Sequence, residues 1–310
     1  MVLYLTFWFP SATRARFIAM FLAAVPFASV VGGPVSGFIL GVEGHLGLHG
    51  WQWLFLLEGL PSVLLGLGVL AWMPDRPSTA SWLSDHEKSV VEAALATEQP
   101  GTHTKLLPML RDARVWALTI PDFCIVLGLY GLNLWLPQMV KEMGFTNLET
   151  GFVVAAPYLV SSVVMVLWGL SSDARNERVW HISAAALLGA SGLAGAALFH
   201  SHLAVLASLT VAACGIYAAL AVFWTLPTSF LGGTAAAGGI ALINSISNTG
   251  GFFGPYIMGW LKSHTGGYSA GLGVLAAALV VASILVVAVG RTLTLAGRTQ
   301  VPEKLLRMEV

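Results

Sequence analysis

Apolar residues run along this chain in blocks long enough to cross a bilayer, whose core of about 30 Å takes roughly 20 residues of helix. The pattern predicts eight full spans, at 17–41, 51–73, 115–138, 150–171, 181–199, 203–226, 236–261 and 270–290. Residues 1–9 are apolar and aromatic but only half a span long, and read as the last turns of a further helix. The linkers are short apart from the stretch Pro74 to Ala113, which is rich in charge and turn formers. Within it, Ser84-Asp-His-Glu87 has the pattern of a capping box and predicts a short amphipathic helix.

Composition turns that pattern into a solvent argument. Hydrophobic residues make up 56% of 310 and charged residues only 10%, with 34 glycines besides. Such a chain cannot cover itself with polar surface, which excludes a soluble enzyme, a nucleic-acid binder and a disordered scaffold. Lysine and arginine sort by side. Arg14, Arg16, Arg76, Lys88, Lys105, Arg111, Arg114, Arg175, Arg178, Arg291, Arg298, Lys304 and Arg307 fall on one side, and only Lys141 and Lys262 on the other. The positive-inside rule makes the first side cytoplasmic and places the C-terminus there. The formal net charge of zero hides this asymmetry.

Candidate chemistry is sparse. Cys124 and Cys214 sit in apolar runs, His45 and His49 lack further ligands, and no serine–histidine–acid set or phosphate loop is present. The chain is expected to be no enzyme and to hold neither metal nor cofactor. Two acids fall within spans, Glu58 and Asp122, and either is a candidate proton site, the alternative being a neutral acid bonded to neighbouring helices. Tyr130, Asn133 and Trp135 lie midway or later in one span, Trp224 and Thr225 end another, and Asn244 and Asn248 share a helix face. These side chains either line a polar cavity and bind substrate or bond helix to helix. Gly33-x-x-x-Gly37 and Gly250-x-x-x-Gly254 are close-packing faces, and Pro34 and Pro255 in the same helices are candidate hinges. The densest charge cluster between spans is the turn Gly169-Leu-Ser-Ser-Asp173-Ala-Arg175-Asn-Glu177-Arg178, which is either a gate or a solvated turn. A faint repeat links Phe7-Trp8-Phe9-Pro10 with Phe223-Trp224-Thr225-Leu226-Pro227, each followed by a span bearing Gly-Pro.

Several stretches together resemble the major facilitator superfamily, and within it the anion:cation symporter family of bacterial organic-anion permeases. They are Tyr-Leu-Thr-Phe-Trp-Phe-Pro (4–10), Gly-Gly-Pro-Val-Ser-Gly (32–37), Gly-Trp-Gln-Trp-Leu-Phe-Leu-Leu-Glu-Gly-Leu-Pro (50–61), Tyr-Gly-Leu-Asn-Leu-Trp-Leu-Pro-Gln (130–138), the Asp173–His181 turn, and Ala-Leu-Ile-Asn through Gly-Pro-Tyr (241–256). The resemblance implies an all-α membrane protein of the major facilitator fold. Its spans match the family's helices five to twelve, preceded by the end of helix four. It divides the chain into a truncated N-terminal bundle (1–73), a cytoplasmic linker (74–113), a C-terminal six-helix bundle (114–291) and a tail (292–310). The family's Gly-x-x-x-Asp turn falls on Gly169 and Asp173, with Arg178 at its Glu-Arg position, while Ala174 and Asn176 depart from the usual basic residue and glycine. Substrate contact is implied for Trp224 and Asn244.

The function so implied is import of small organic anions, such as sugar acids, tartrate or aromatic carboxylates, by proton symport and alternating access in a bacterial inner membrane. The protein is expected to work as a monomer. The family's basic residues for the substrate carboxylate belong to helices that this chain lacks, and no lysine or arginine falls inside a span. The expectation is therefore an incomplete carrier that does not transport by itself. Two rivals stand beside it, a transport-dead membrane binding or sensor protein and a carrier of neutral or cationic solutes.

Overall fold

The computed structural model describes residues 2–9, 11–96, 113–230 and 233–298. Among them it is helical, with α1 Val2–Trp8, α2 Ser11–Leu40, α3 Gly50–Trp72, α4 Asp85–Ala96, α5 Ala113–Glu142, α6 Asn147–Arg175, α7 Val179–Leu198, α8 His202–Phe223, α9 Thr225–Phe230, α10 Gly233–Ser247, α11 Gly250–Thr265 and α12 Ser269–Arg298. Among the described residues, six stretches of helix are long and apolar enough to span a membrane: Gly50–Trp72, Val115–Glu142, Asn147–Arg175, Val179–Leu198, His202–Pro227 and Ser269–Gly290. The span predicted at 17–41 falls on the 30-residue helix α2, Ser11–Leu40. The span predicted at 236–261 is two helices, interrupted at Asn248 and Thr249. Asparagine, threonine and a glycine pair follow one another there, all weak helix formers. Asn248 also turns its side chain back, donating to the Asn244 carbonyl at 2.8 Å.

The chain divides into two compact units, Met1–Thr102 with Phe145–Ala155, and His103–Gly144 with Ala156–Val310. In the first, α2 packs against the opening turns of α6 on glycine. A Cβ at Gly33 would lie 2.8 Å from the Gly151 carbonyl oxygen, and one at Gly37 would lie 2.6 Å from that of Asn147. The small-residue face therefore works as a packing seam, since lipid offers no hydrophobic drive and close van der Waals contact must hold the helices together. The loop into α3 is held by Glu43, which accepts from the Gly50 N–H at 2.7 Å and lies 2.7 Å from His49 Nδ1. The Gly50 N–H and the His49 side chain keep the Glu43 carboxyl below its ordinary value. His49 thus serves an ion pair, and among the described residues no three metal-ligating side chains gather. The capping box forms as predicted: the Ser84 N–H donates to Glu87 at 2.9 Å, and the Glu87 N–H to Ser84 Oγ at 3.3 Å.

In the second unit α7 and α8 approach almost backbone to backbone. A Cβ on Gly192 would lie 2.6 Å from the Ser208 carbonyl oxygen, and Ala212, Ala213, Ala218 and Ala219 are fully buried. Helix α12 packs on α7 through a buried hydroxyl pair, Ser183 to Ser283 at 2.6 Å. Helix α5 is the hub of this unit, packing against α8, α10, α11 and α12. It stays helical through Pro121 and Pro137.

Candidate functional site

Three polar side chains meet inside the second unit, one from each of α5, α6 and α8. The Tyr158 hydroxyl donates to Asn133 Oδ1 at 2.9 Å, and Asn133 Nδ2 donates to the Tyr217 hydroxyl at 3.2 Å. The two tyrosine rings meet edge to face with centroids 6.1 Å apart. Tyr158 is 4% exposed and Tyr217 3%, while Asn133 is half-buried. Tyr130, one turn before Asn133, lies close enough to Tyr217 to interact electrostatically and is 38% exposed. Its ring covers Gly251, where a Cβ would lie 3.2 Å from it. Tyr130 and Asn133 were predicted from their mid-span positions. Tyr158 and Tyr217 were not, because a single hydroxyl on a large ring in an apolar run reads as core.

The remaining predicted contacts sit apart from that triad. Asn244 and Asn248 lie on the exposed side of the α10–α11 interruption, with Asn248 Nδ2 also 2.5 Å from Asn244 Oδ1. Trp224 is half-buried at the α8–α9 junction, its ring edge-on to Phe223 with centroids 5.7 Å apart. Gly250 and Gly254 bring α11 onto α5, where a Cβ at Gly250 would lie 3.0 Å from the Leu127 backbone nitrogen. The Pro255 carbonyl accepts from Trp135 Nε1 at 3.0 Å.

The two acids differ in environment. Glu58, in the first unit, is exposed and accepts from Ser36 Oγ at 2.5 Å. Asp122, in the second, is 0% exposed and neither carboxylate oxygen has a hydrogen-bond partner. Ser247 is the polar group facing it, but its hydroxyl is directed to the Thr119 carbonyl at 3.3 Å. An unpaired buried carboxylate charge costs several kcal/mol, a cost that the neutral acid avoids.

The turn between α6 and α7 is cross-linked rather than merely solvated. Arg178 Nη1 lies 2.5 Å from Asp173 Oδ1 and 2.9 Å from Ser172 Oγ, and Ser172 Oγ donates to the Glu177 carbonyl at 2.5 Å. The Glu177 carboxylate caps α7, accepting from the Trp180 N–H at 2.8 Å and the His181 N–H at 3.1 Å, with His181 Nδ1 at 2.8 Å. Partial burial pushes the Glu177 carboxyl upward, but these hydrogen bonds outweigh it and hold the group below its ordinary value. Asn176 takes a left-handed backbone, φ 47°, which asparagine tolerates better than other non-glycine residues. Gly169, by contrast, has open space where a Cβ would be.

At the opposite end of the same unit lies a cluster that sequence reading missed. Lys262 bonds Glu142 and donates to the Tyr268 hydroxyl, which itself donates to Glu142 Oε1 at 2.8 Å. The ammonium stands 4.1 Å from the Tyr268 ring centroid and 5.5 Å from that of Trp135. This clasp ties the ends of α5 and α11 to the loop before α12. Its partners are 120 and 126 residues apart, beyond any local pattern.

A family model described as Major Facilitator Superfamily matches residues 1–255. A protein of Agrobacterium vitis named "Putative tartrate transporter" is 44% identical over 295 residues, covering 94% of this chain and 68% of its own length. A "Quinolone resistance transporter" of Acinetobacter baumannii is 40% identical over 277 residues, covering 87% of this chain and 64% of itself. The chain thus spans about two thirds of the length of these relatives. Among solved structures, a proton:xylose symporter bound to 6-bromo-6-deoxy-D-glucose aligns with TM-score 0.63 at 18% identity, over 91% of this chain and 65% of that one. A bacterial homolog of the human lysosomal transporter Spinster aligns with TM-score 0.62 at 18% identity, over 95% and 73%.

Proposed function

Because the chain belongs to the major facilitator superfamily, whose members here are transporters and not enzymes, we propose that it serves the uptake of small organic acids of the tartrate kind by proton symport and alternating access. The observation that carries this reading is the uncharged polar cluster of Tyr130, Asn133, Tyr158 and Tyr217 within an otherwise apolar unit. The tartrate-named relative supplies the substrate class. Trp224, Asn244 and Asn248 are further candidate contacts, and the Gly169–Arg178 turn is the candidate cytoplasmic gate. In this reading the membrane is a bacterial inner membrane and the C-terminus is cytoplasmic, as the lysine and arginine asymmetry supports.

Asp122 is the proposed proton site in preference to Glu58, because Ser36 already satisfies Glu58 while Asp122 is sealed and unpaired. Proteoliposomes containing the full chain decide between this reading and the sequence expectation of a carrier that does not transport by itself: accumulation of labelled L-tartrate when the outside is acidified supports the first. Asp122→Asn should abolish that accumulation while leaving tartrate exchange. Accumulation that ignores the pH gradient, or survives Asp122→Asn unchanged, would refute the proton assignment. The relative named for quinolone resistance favours a second reading, carriage of a solute that is not a simple anion, and labelled norfloxacin in the same vesicles separates the two.

A further inference from the structure

The triad on α5, α6 and α8 holds more hydrogens than its own bonds use. Two tyrosine hydroxyls and one carboxamide carry four polar hydrogens, and the two bonds within the triad consume two of them. Rotating the Asn133 amide by half a turn exchanges which tyrosine donates, but leaves the same remainder: one amide hydrogen and one phenolic hydrogen. Lone pairs also remain on all three oxygens. A pure interhelical brace needs neither surplus, and buried donors left unmatched are costly. The surplus therefore looks for a guest that both accepts and donates.

Charge narrows the guest. The described basic side chains of this unit, Lys141, Lys262, Arg175 and Arg178, sit at helix ends, and none touches the triad. A neutral set that gives and takes hydrogen bonds matches an alcohol; a carboxylate, which only accepts, is better held by a guanidinium or ammonium group. Half-buried Asn133 and the partly exposed Tyr130, one turn before it on α5, mark the open side of the cluster. We propose that Tyr158, Asn133 and Tyr217 form a specificity-determining site that reads the hydroxyl groups of a hydroxylated organic acid. The inference rests on the transport reading above and assigns to Tyr158 and Tyr217 a task that the sequence did not suggest.

The test compares L-tartrate with succinate, the same four-carbon diacid without hydroxyls. Isothermal titration calorimetry is run on the purified full chain in lipid nanodiscs, as wild type, Tyr158→Phe and Tyr217→Phe. Wild type should bind tartrate about tenfold tighter than succinate, and each phenylalanine variant should cut that ratio by about three- to tenfold with succinate affinity nearly unchanged. The two variants flank one amide, so either suffices if the other fails to fold. Equal losses for both ligands would reduce the triad to a brace and overturn the proposal, as would an unchanged ratio. Wild type that binds neither diacid would sink the transport reading itself and this inference with it.

Discussion

Replacing Glu177 by glutamine tests whether the α6–α7 turn is held by charge. The wild-type carboxylate accepts from Trp180 and His181 N–H groups and lies against His181 Nδ1. Glutamine keeps the shape but turns an NH2 toward one of those donors, so at least one bond is lost. Hydrogen bonds to charged groups contribute about 1.5–3 kcal/mol each, and the side chain is 32% exposed, so a loss of about 1–2 kcal/mol is expected. For a chain of this size that lowers the melting temperature by roughly 2–6 °C at pH 7. The assay is built in, because Cys124 and Cys214 are free and buried and a thiol-reactive fluorophore reports their exposure on heating. The sign with pH follows from the depressed carboxyl. Its contribution is complete above the ordinary value of 4.5 and disappears as pH falls through the lowered one. Wild type and variant should therefore draw together as pH falls through that lowered value. A gap that stays constant until the protein unfolds in acid, or none at pH 7, would refute the charge argument.

Backbone and packing make further tests. Gly192→Leu should yield no monodisperse protein by size-exclusion chromatography, since even its Cβ would collide with the α8 backbone. Gly273→Ala, where the Cβ meets open space within α12, should melt at or slightly above wild type, by up to about 1 kcal/mol. Asn176→Val should cost about 1–2 kcal/mol by thermal melting because a β-branched residue resists φ 47°, whereas Asn176→Gly should be neutral.

The all-helical membrane fold was legible because each span carries its signal locally, in some twenty consecutive apolar residues. Caps were legible for the same reason, as at Ser84 and Glu87. The interruption at Asn248–Thr249 was written in the residues Asn-Thr-Gly-Gly, but the hydrophobic count ran straight over it. The Gly33–Gly37 face announced a close neighbour without naming it; only the fold supplies Gly151 and Asn147. Of the candidate site, Asn133 stood out because an amide in lipid needs a partner. Its partners Tyr158 and Tyr217 lie 25 and 84 residues away, and nothing local marks either one. The Lys262 clasp escaped for the same reason of distance.

Helix α11 is fastened to α5 along its whole length. Gly250 and Gly254 seat it on Leu127, Trp135 grips the Pro255 carbonyl, and Lys262 holds Glu142 at the far end. Two rods joined at three heights move as one strut. Helix α10 also packs on α5, with Ser247 reaching the Thr119 carbonyl at 3.3 Å and Ile243 fully buried. Regular helix gives way between α10 and α11 at Asn248–Thr249, so any tilt of α10 on that strut would turn there. Asn244 sits one turn before that joint, so such a tilt would carry its amide sideways while the Asn133 triad, anchored in the strut, kept its place.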